Sequence, residues 1–260
     1  IGLLFWTLFP VWWLASTSFK SRVEAFQIPP SIIFTPTLEN YVSALLYNPR
    51  FLQNYLNSII VATGSTVVSL ALGVPAAYAF ARYNFKRKND LNFWILTTRM
   101  APRIGVIVPF FLIWRFLGLL DTHVALIITY LVFNLSFVIW IMQSFFVEMS
   151  PEIEEAAMID GCTTFQVFSK ISLPANMPGL AATAIFCVIQ SWNEFLFALI
   201  LTGKTAETLP PTTLSFIAHG GISWGPLTAA ALMTALPVMI FTLLIQKHLV
   251  RAFTFGIIKG

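Results

Sequence analysis

Glu154-Glu155-Ala156-Ala157, then Gly161, then Ile171-Ser172-Leu173-Pro174 stand in a polar loop between two long apolar runs. The spacing is Glu-Ala-Ala, three residues, Gly, nine residues, Ile-x-Leu-Pro. The loop reads as two short helices. Ser150 fits an N-cap, Pro151 the first helical position, and Glu152 and Glu154 complement the positive end of the helix dipole. Gly161 fits the left-handed residue that ends a helix. Thr163 or Thr164 can cap the second helix, along which Phe165, Phe168 and Ile171 line one side at i, i+3 spacing, and Pro174 stops it.

The chain around this loop is 57% hydrophobic and 10% charged, with a mean hydropathy of +0.80. A soluble domain carries about a quarter charged residues, so the solvent for this one is lipid. Its 260 residues hold about six spans of roughly 20 residues. The reading is an all-α polytopic membrane protein with spans at 1–19, 55–81, 91–116, 123–146, 178–201 and 225–247, and with the 148–177 loop on the cytoplasmic side. Between the first two spans, Tyr41, Leu45 and Leu46 recur at helical spacing and predict a short interfacial helix. The chain opens at Ile1 rather than Met, so further residues are expected before it. The 1–19 run ends in Ser-Phe-Lys without a clear cleavage site and reads as an anchoring span.

The sequence pI is about 9.2, yet the basic residues form no stripe for nucleic acid. They sit in short loops beside the apolar runs, as the positive-inside bias expects. Arg82-Tyr83-Asn84-Phe85-Lys86-Arg87-Lys88 is the most basic segment and goes in the cytoplasm. Alternation then puts both termini there, with Lys247, Arg251 and Lys259, and places Lys20, Arg22 and Arg50 outside. The 148–177 loop carries Glu148, Glu152, Glu154, Glu155 and Asp160 against Lys170. Anionic lipid attracts Lys and Arg, so this acidic amphipathic segment suits a basic protein groove better than headgroups.

The motif resembles the EAA loop of the membrane subunits of bacterial ABC importers, and the chain resembles the carbohydrate-type, maltose-permease-like six-span subunit. Asn57-Ser58, Leu117-Gly118-Leu119-Leu120-Asp121-Thr122 and Ser191-Trp192-Asn193-Glu194-Phe195 look like further segments of that family. The resemblance implies a type I permease fold in the bacterial inner membrane. It also implies a complex with a second homologous permease, two ATPase subunits and an extracytoplasmic solute-binding protein, in which ATP and Mg lie on the ATPases and this chain binds no cofactor. Glu154, Glu155, Ala156, Ala157, Asp160, Gly161, Phe165 and Phe168 would then lie at the ATPase contact. The implied cargo is a sugar, polyol or related small solute, and Arg99-Met100-Ala101-Pro102 resembles members assigned to polyols and related sugars.

Charges in lipid face a bundle interior or a wet cavity. Arg99 and Arg103, four apart, are expected on one helix face, either on the solute pathway or bonded structurally to carbonyls. Pro102 between them disturbs the backbone. Glu194, Gln190, Trp192 and Asn193 are the other pathway candidates, with the indole able to stack on a pyranose. Helix–helix bonding is the alternative use. Asn134 and Gln143 are weaker candidates. His123, His219 and His248 read as span-end or loop residues. No Gly-rich phosphate loop with Lys-Ser/Thr is present, so ATP is not held here by that motif, and no catalytic set presents itself. An ion-gradient-driven secondary transporter remains the alternative. It needs carboxylates at mid-depth, and Glu194 alone fits.

Overall fold

The computed structural model describes residues 2–218 and 221–257. His219 and Lys259, named above, lie outside them. Helices follow one another as α1 (Gly2–Ser18), α2 (Arg22–Ala25), α3 (Glu39–Tyr47), α4 (Phe51–Arg82), α5 (Lys88–Thr98), α6 (Arg103–Phe116), α7 (His123–Glu148), α8 (Pro151–Ile159), α9 (Thr164–Val167), α10 (Leu173–Ala175), α11 (Met177–Trp192), α12 (Leu196–Leu201), α13 (Leu209–Thr212) and α14 (Trp224–Ile257). A π-helical turn, Phe168–Ser172, joins α9 to α10. The predicted helix around Tyr41 is α3.

Among the described residues, α4, α7 and the Trp224–Leu243 part of α14 are long and apolar enough to cross a bilayer. Two broken pairs raise this to five if each is one span: α5 with α6, bent by 92°, and Thr164–Ala175 with α11, bent by 76°. The first expected span is helical, as α1. The continuous 91–116 helix is therefore corrected. Pro102 offers no N–H and drives the residue before it out of the helical region. Arg99 caps the end of α5 while Arg103 opens α6, so the two arginines do not share a helix face. The 178–201 span is likewise interrupted, ending at Trp192 and resuming at Leu196.

The centre of the bundle is the pair α4 and α7, brought close by small residues as lipid-embedded helices require. A Cβ added at Gly64 would stand 2.8 Å from Ile127 Cδ1, and one at Gly73 would stand 2.7 Å from Val138 Cγ1. α11 joins them through hydroxyls and an amide: Ser65 Oγ donates to Ser191 Oγ at 3.0 Å, and Asn134 Nδ2 donates to the same atom at 2.8 Å.

One end of the bundle is tied by polar groups. The Asp121 carboxylate accepts from the backbone N–H groups of Gly203 (2.9 Å), Lys204 (3.0 Å), Thr205 (3.0 Å) and Ala206 (2.9 Å). Asn57 Nδ2 donates to the carbonyls of Thr205 and Glu207, both at 2.9 Å, and its Oδ1 lies 2.8 Å from His123 Nε2. Ser58 Oγ accepts from Leu209 N at 2.8 Å. Asn57-Ser58 and the 117–122 turn, remote in sequence, thus grip one loop.

Burial pushes the Asp121 carboxyl up, but the four backbone donors outweigh it and hold the group at about 2, below its ordinary 3.8. A depressed folded-state value stabilises above the unfolded value, so this contribution is present above about pH 4 and is lost as pH falls through 2. Asp121→Ala should cost about 1–2 kcal/mol at neutral pH, the site being partly exposed. Thermal unfolding in detergent should show that cost at pH 7 and a shrinking difference from wild type toward pH 2.

Candidate functional site

At the other end of the bundle the acidic loop folds as two short helices around a left-handed glycine. Ser150 stands at the N-cap of α8 without a side-chain bond, followed by Pro151. Gly161 has φ +89°, and a Cβ there would meet nothing within 4 Å, so the backbone and not crowding demands glycine. Thr163 caps α9 in a reciprocal pair: Gln166 N donates to Thr163 Oγ1 at 3.4 Å, and Thr163 N donates to Gln166 Oε1 at 2.8 Å. The helix does not stop at Pro174. It runs to Ala175 through the wide turn at Phe168–Ser172, which accommodates a residue with no N–H to return to Lys170, and it breaks at Asn176.

The expected aromatic face is corrected as well. Phe165 is 75% exposed, whereas Phe168 packs inward on Tyr78 and Phe146, with ring centroids 5.0 and 6.4 Å away. The outward surface is formed by Glu155, Ala156, Asp160, Gly161 and Phe165, with Ile159. Ala157 is buried.

Glu154 is buried too, at 4% exposure. Its Oε2 accepts from Arg82 Nε at 2.8 Å and from the Tyr78 hydroxyl at 3.2 Å, and its Oε1 accepts from Ser172 Oγ at 2.6 Å. The basic partner that the acidic loop called for is, for this residue, inside the same chain. Sequence reading counted Arg82 only as a topology charge; its signal was a basic residue at a helix end facing an acidic loop.

Within the bundle, Arg103 Nη1 and Glu194 Oε2 form an ion pair. Glu194 Oε1 also accepts from Leu196 N (3.1 Å) and Phe197 N (3.2 Å), capping α12. Arg103 lies over the Phe133 ring at 5.5 Å, and Arg99 over Phe137 at 4.9 Å. Arg103, Glu194, Gln190, Asn134 and Tyr130 line a niche of about 10 Å³, room for one water. The buried Tyr130 hydroxyl, which sequence reading missed, has no hydrogen-bond partner there. Two predicted residues fall elsewhere. Trp192 is 3% exposed, and its N–H donates to the Thr234 carbonyl at 2.9 Å, so the indole is committed to packing α11 on α14. Asn193 is exposed at the helix break and donates to Ile189 O at 3.0 Å.

Replacing Arg103 or Glu194 singly by Ala leaves the other charge unpaired. Because Arg103 is 45% exposed, a double-mutant cycle on thermal unfolding should give a coupling of about 1–2 kcal/mol, below the value for a fully buried pair. Glu194→Gln should lose less than Glu194→Ala, since its amide oxygen can still cap α12.

Residues 69–255 match the family described as binding-protein-dependent transport system inner membrane component. The chain is similar to the inner membrane ABC transporter permease protein YcjP of Escherichia coli, at 36% identity over 98% of this chain and 92% of that one. It is similar to the trehalose/maltose transport system permease protein MalG of Thermococcus litoralis, at 35% identity over 97% and 92%. Among solved structures it resembles a chain of a bacterial ABC transporter involved in the import of the acidic polysaccharide alginate, with TM-score 0.78, 26% identity and coverage of 94% and 91%.

Proposed function

The chain belongs to the family of inner membrane components of binding-protein-dependent transport systems, and from that premise we propose its cargo, its partners and how it is driven. It is the permease subunit of an ABC importer, and ATP hydrolysis belongs to a separate subunit. The ion-gradient alternative is set aside by this membership. The cargo is a sugar, polyol or related small solute. This reading is supported by relatives named for trehalose and maltose and by the alginate importer.

The working complex pairs this chain with a second permease, two ATPases carrying ATP and Mg, and an extracytoplasmic solute-binding protein. The 148–177 loop lies in the cytoplasm with Arg82–Lys88 and both termini, in accord with the positive-inside bias. The observation that carries the reading is the ordered outward surface of Glu155, Ala156, Asp160, Gly161 and Phe165 around a backbone-fixed glycine. Such an elbow fits a groove of the ATPase, with Phe165 as anchor and the carboxylates steering the encounter. Closing of the ATPases on ATP draws the elbow, the spans rock, and the bundle opens outward; hydrolysis returns it. The solute passes the polar niche, where Arg103, Glu194, Gln190 and Tyr130 offer donors and acceptors for hydroxyls once the spans part. Arg99 flanks that route. Trp192 and Asn193 act in packing and at the break.

A non-glycine residue at φ +89° costs about 1–2 kcal/mol, which is roughly tenfold in an equilibrium. Gly161→Leu should therefore lower solute-stimulated ATPase activity of the assembled complex about tenfold or more while membrane insertion stays normal. Undiminished stimulation in that variant would overturn the docking reading.

A further inference from the structure

Glu154 and Ala157 are the buried residues of α8; the rest of that helix faces outward or is exposed. Whatever moves α8 must therefore reach the membrane helices through very few side chains. One is a small apolar methyl. The other is a buried carboxylate bonded to three groups on two other elements. Arg82, the last residue of α4, gives its Nε to Glu154 Oε2 at 2.8 Å and its Nη2 to the Met149 carbonyl at 2.9 Å, the hinge between α7 and α8. Tyr78, one turn earlier on α4, gives its hydroxyl to the same carboxylate, and Ser172 in the π-helical turn gives its own to Oε1.

We propose that Glu154 and Arg82 are positioning residues that latch α8 to the end of α4, so that the elbow and α4 move as one body and force applied to the loop enters the bundle through this ion pair. The geometry suits the task. Arginine's planar fork grips the carboxylate and the hinge carbonyl at once, a double hold that lysine cannot reproduce. A charge-assisted bond between groups 11% and 5% exposed resists screening by salt. α4 is also the helix against which α7 packs at Gly64 and Gly73, so a latch on its end addresses the centre of the bundle.

The inference rests on the loop docking to an ATPase. The test uses the full complex in nanodiscs with its binding protein. Glu154→Gln and Arg82→Lys should leave the ATPases attached and basal hydrolysis within about twofold of wild type, while solute-stimulated hydrolysis falls at least tenfold. The charge swap Arg82→Glu with Glu154→Arg should recover part of that loss. A second readout follows the geometry itself. Spin labels at the exposed positions Asn84 and Ile159 should keep one narrow distance distribution throughout the nucleotide cycle, and that distribution should broaden in Glu154→Gln. Full stimulation in Glu154→Gln, or a distance that changes during the wild-type cycle, overturns the latch. If Gly161→Leu remains coupled as well, it is the docking reading that fails; if Gly161→Leu uncouples while Glu154→Gln does not, docking stands and the latch alone is wrong.

Discussion

A polar group inside an apolar bundle must find its partner in the protein, because lipid offers none. That constraint organises this molecule. Only a tenth of the residues are charged, and Asp121, Glu154 and Glu194 are spent on bonds between elements remote in sequence. Asp121 and Asn57 close one end over the 202–209 loop. Arg82 and Glu154 close the other. Arg103 and Glu194 tie α6 to the break before α12. Between these ties the packing is of small residues against branched ones, Gly64 on Ile127 and Gly73 on Val138. Such packing holds helices close without fixing an angle between them as firmly as a directional bond does.

The two ends differ in what they leave for others. At the Asp121 end the loop's backbone donors are consumed by the carboxylate. At the opposite end, Glu154 turns in and Glu155 turns out, so adjacent carboxylates serve opposite purposes: one holds the loop to its own chain and the other is free to meet a partner. A transmission element needs both, a grip on what drives it and a grip on what it drives.

Much of this was legible in the sequence where the signal is local. The 123–146 run is unbroken, and α7 forms at His123–Glu148. Gly161 and a cap at Thr163 or Thr164 mark the elbow by turn and cap chemistry, and the structure selects Thr163. The failures are where local rules compete. Four-residue spacing placed Arg99 and Arg103 on one face, but Pro102 between them carried more weight than the period. Three-residue spacing aligned Phe165 with Phe168, but Phe168 packs on Tyr78 and Phe146 while Phe165 stays exposed, a choice of neighbours that spacing alone does not make. The pairs themselves were not readable, since Arg82 and Glu154 stand 72 positions apart and nothing in periodicity chooses between partners at that separation. Trp192 illustrates the same limit: its composition fits sugar stacking, and its neighbour across the fold decides otherwise.

The central claim is that the elbow is cytoplasmic and covered by a separate motor. Cys162 stands in that elbow, partly exposed, while Cys187 is buried, so a membrane-impermeant thiol reagent reports on the elbow alone. The account predicts no labelling of Cys162 in intact cells from outside, ready labelling in inside-out vesicles stripped of ATPase, and protection when purified ATPase subunits are added back. Labelling from outside, or labelling from inside that the ATPase does not diminish, would contradict it.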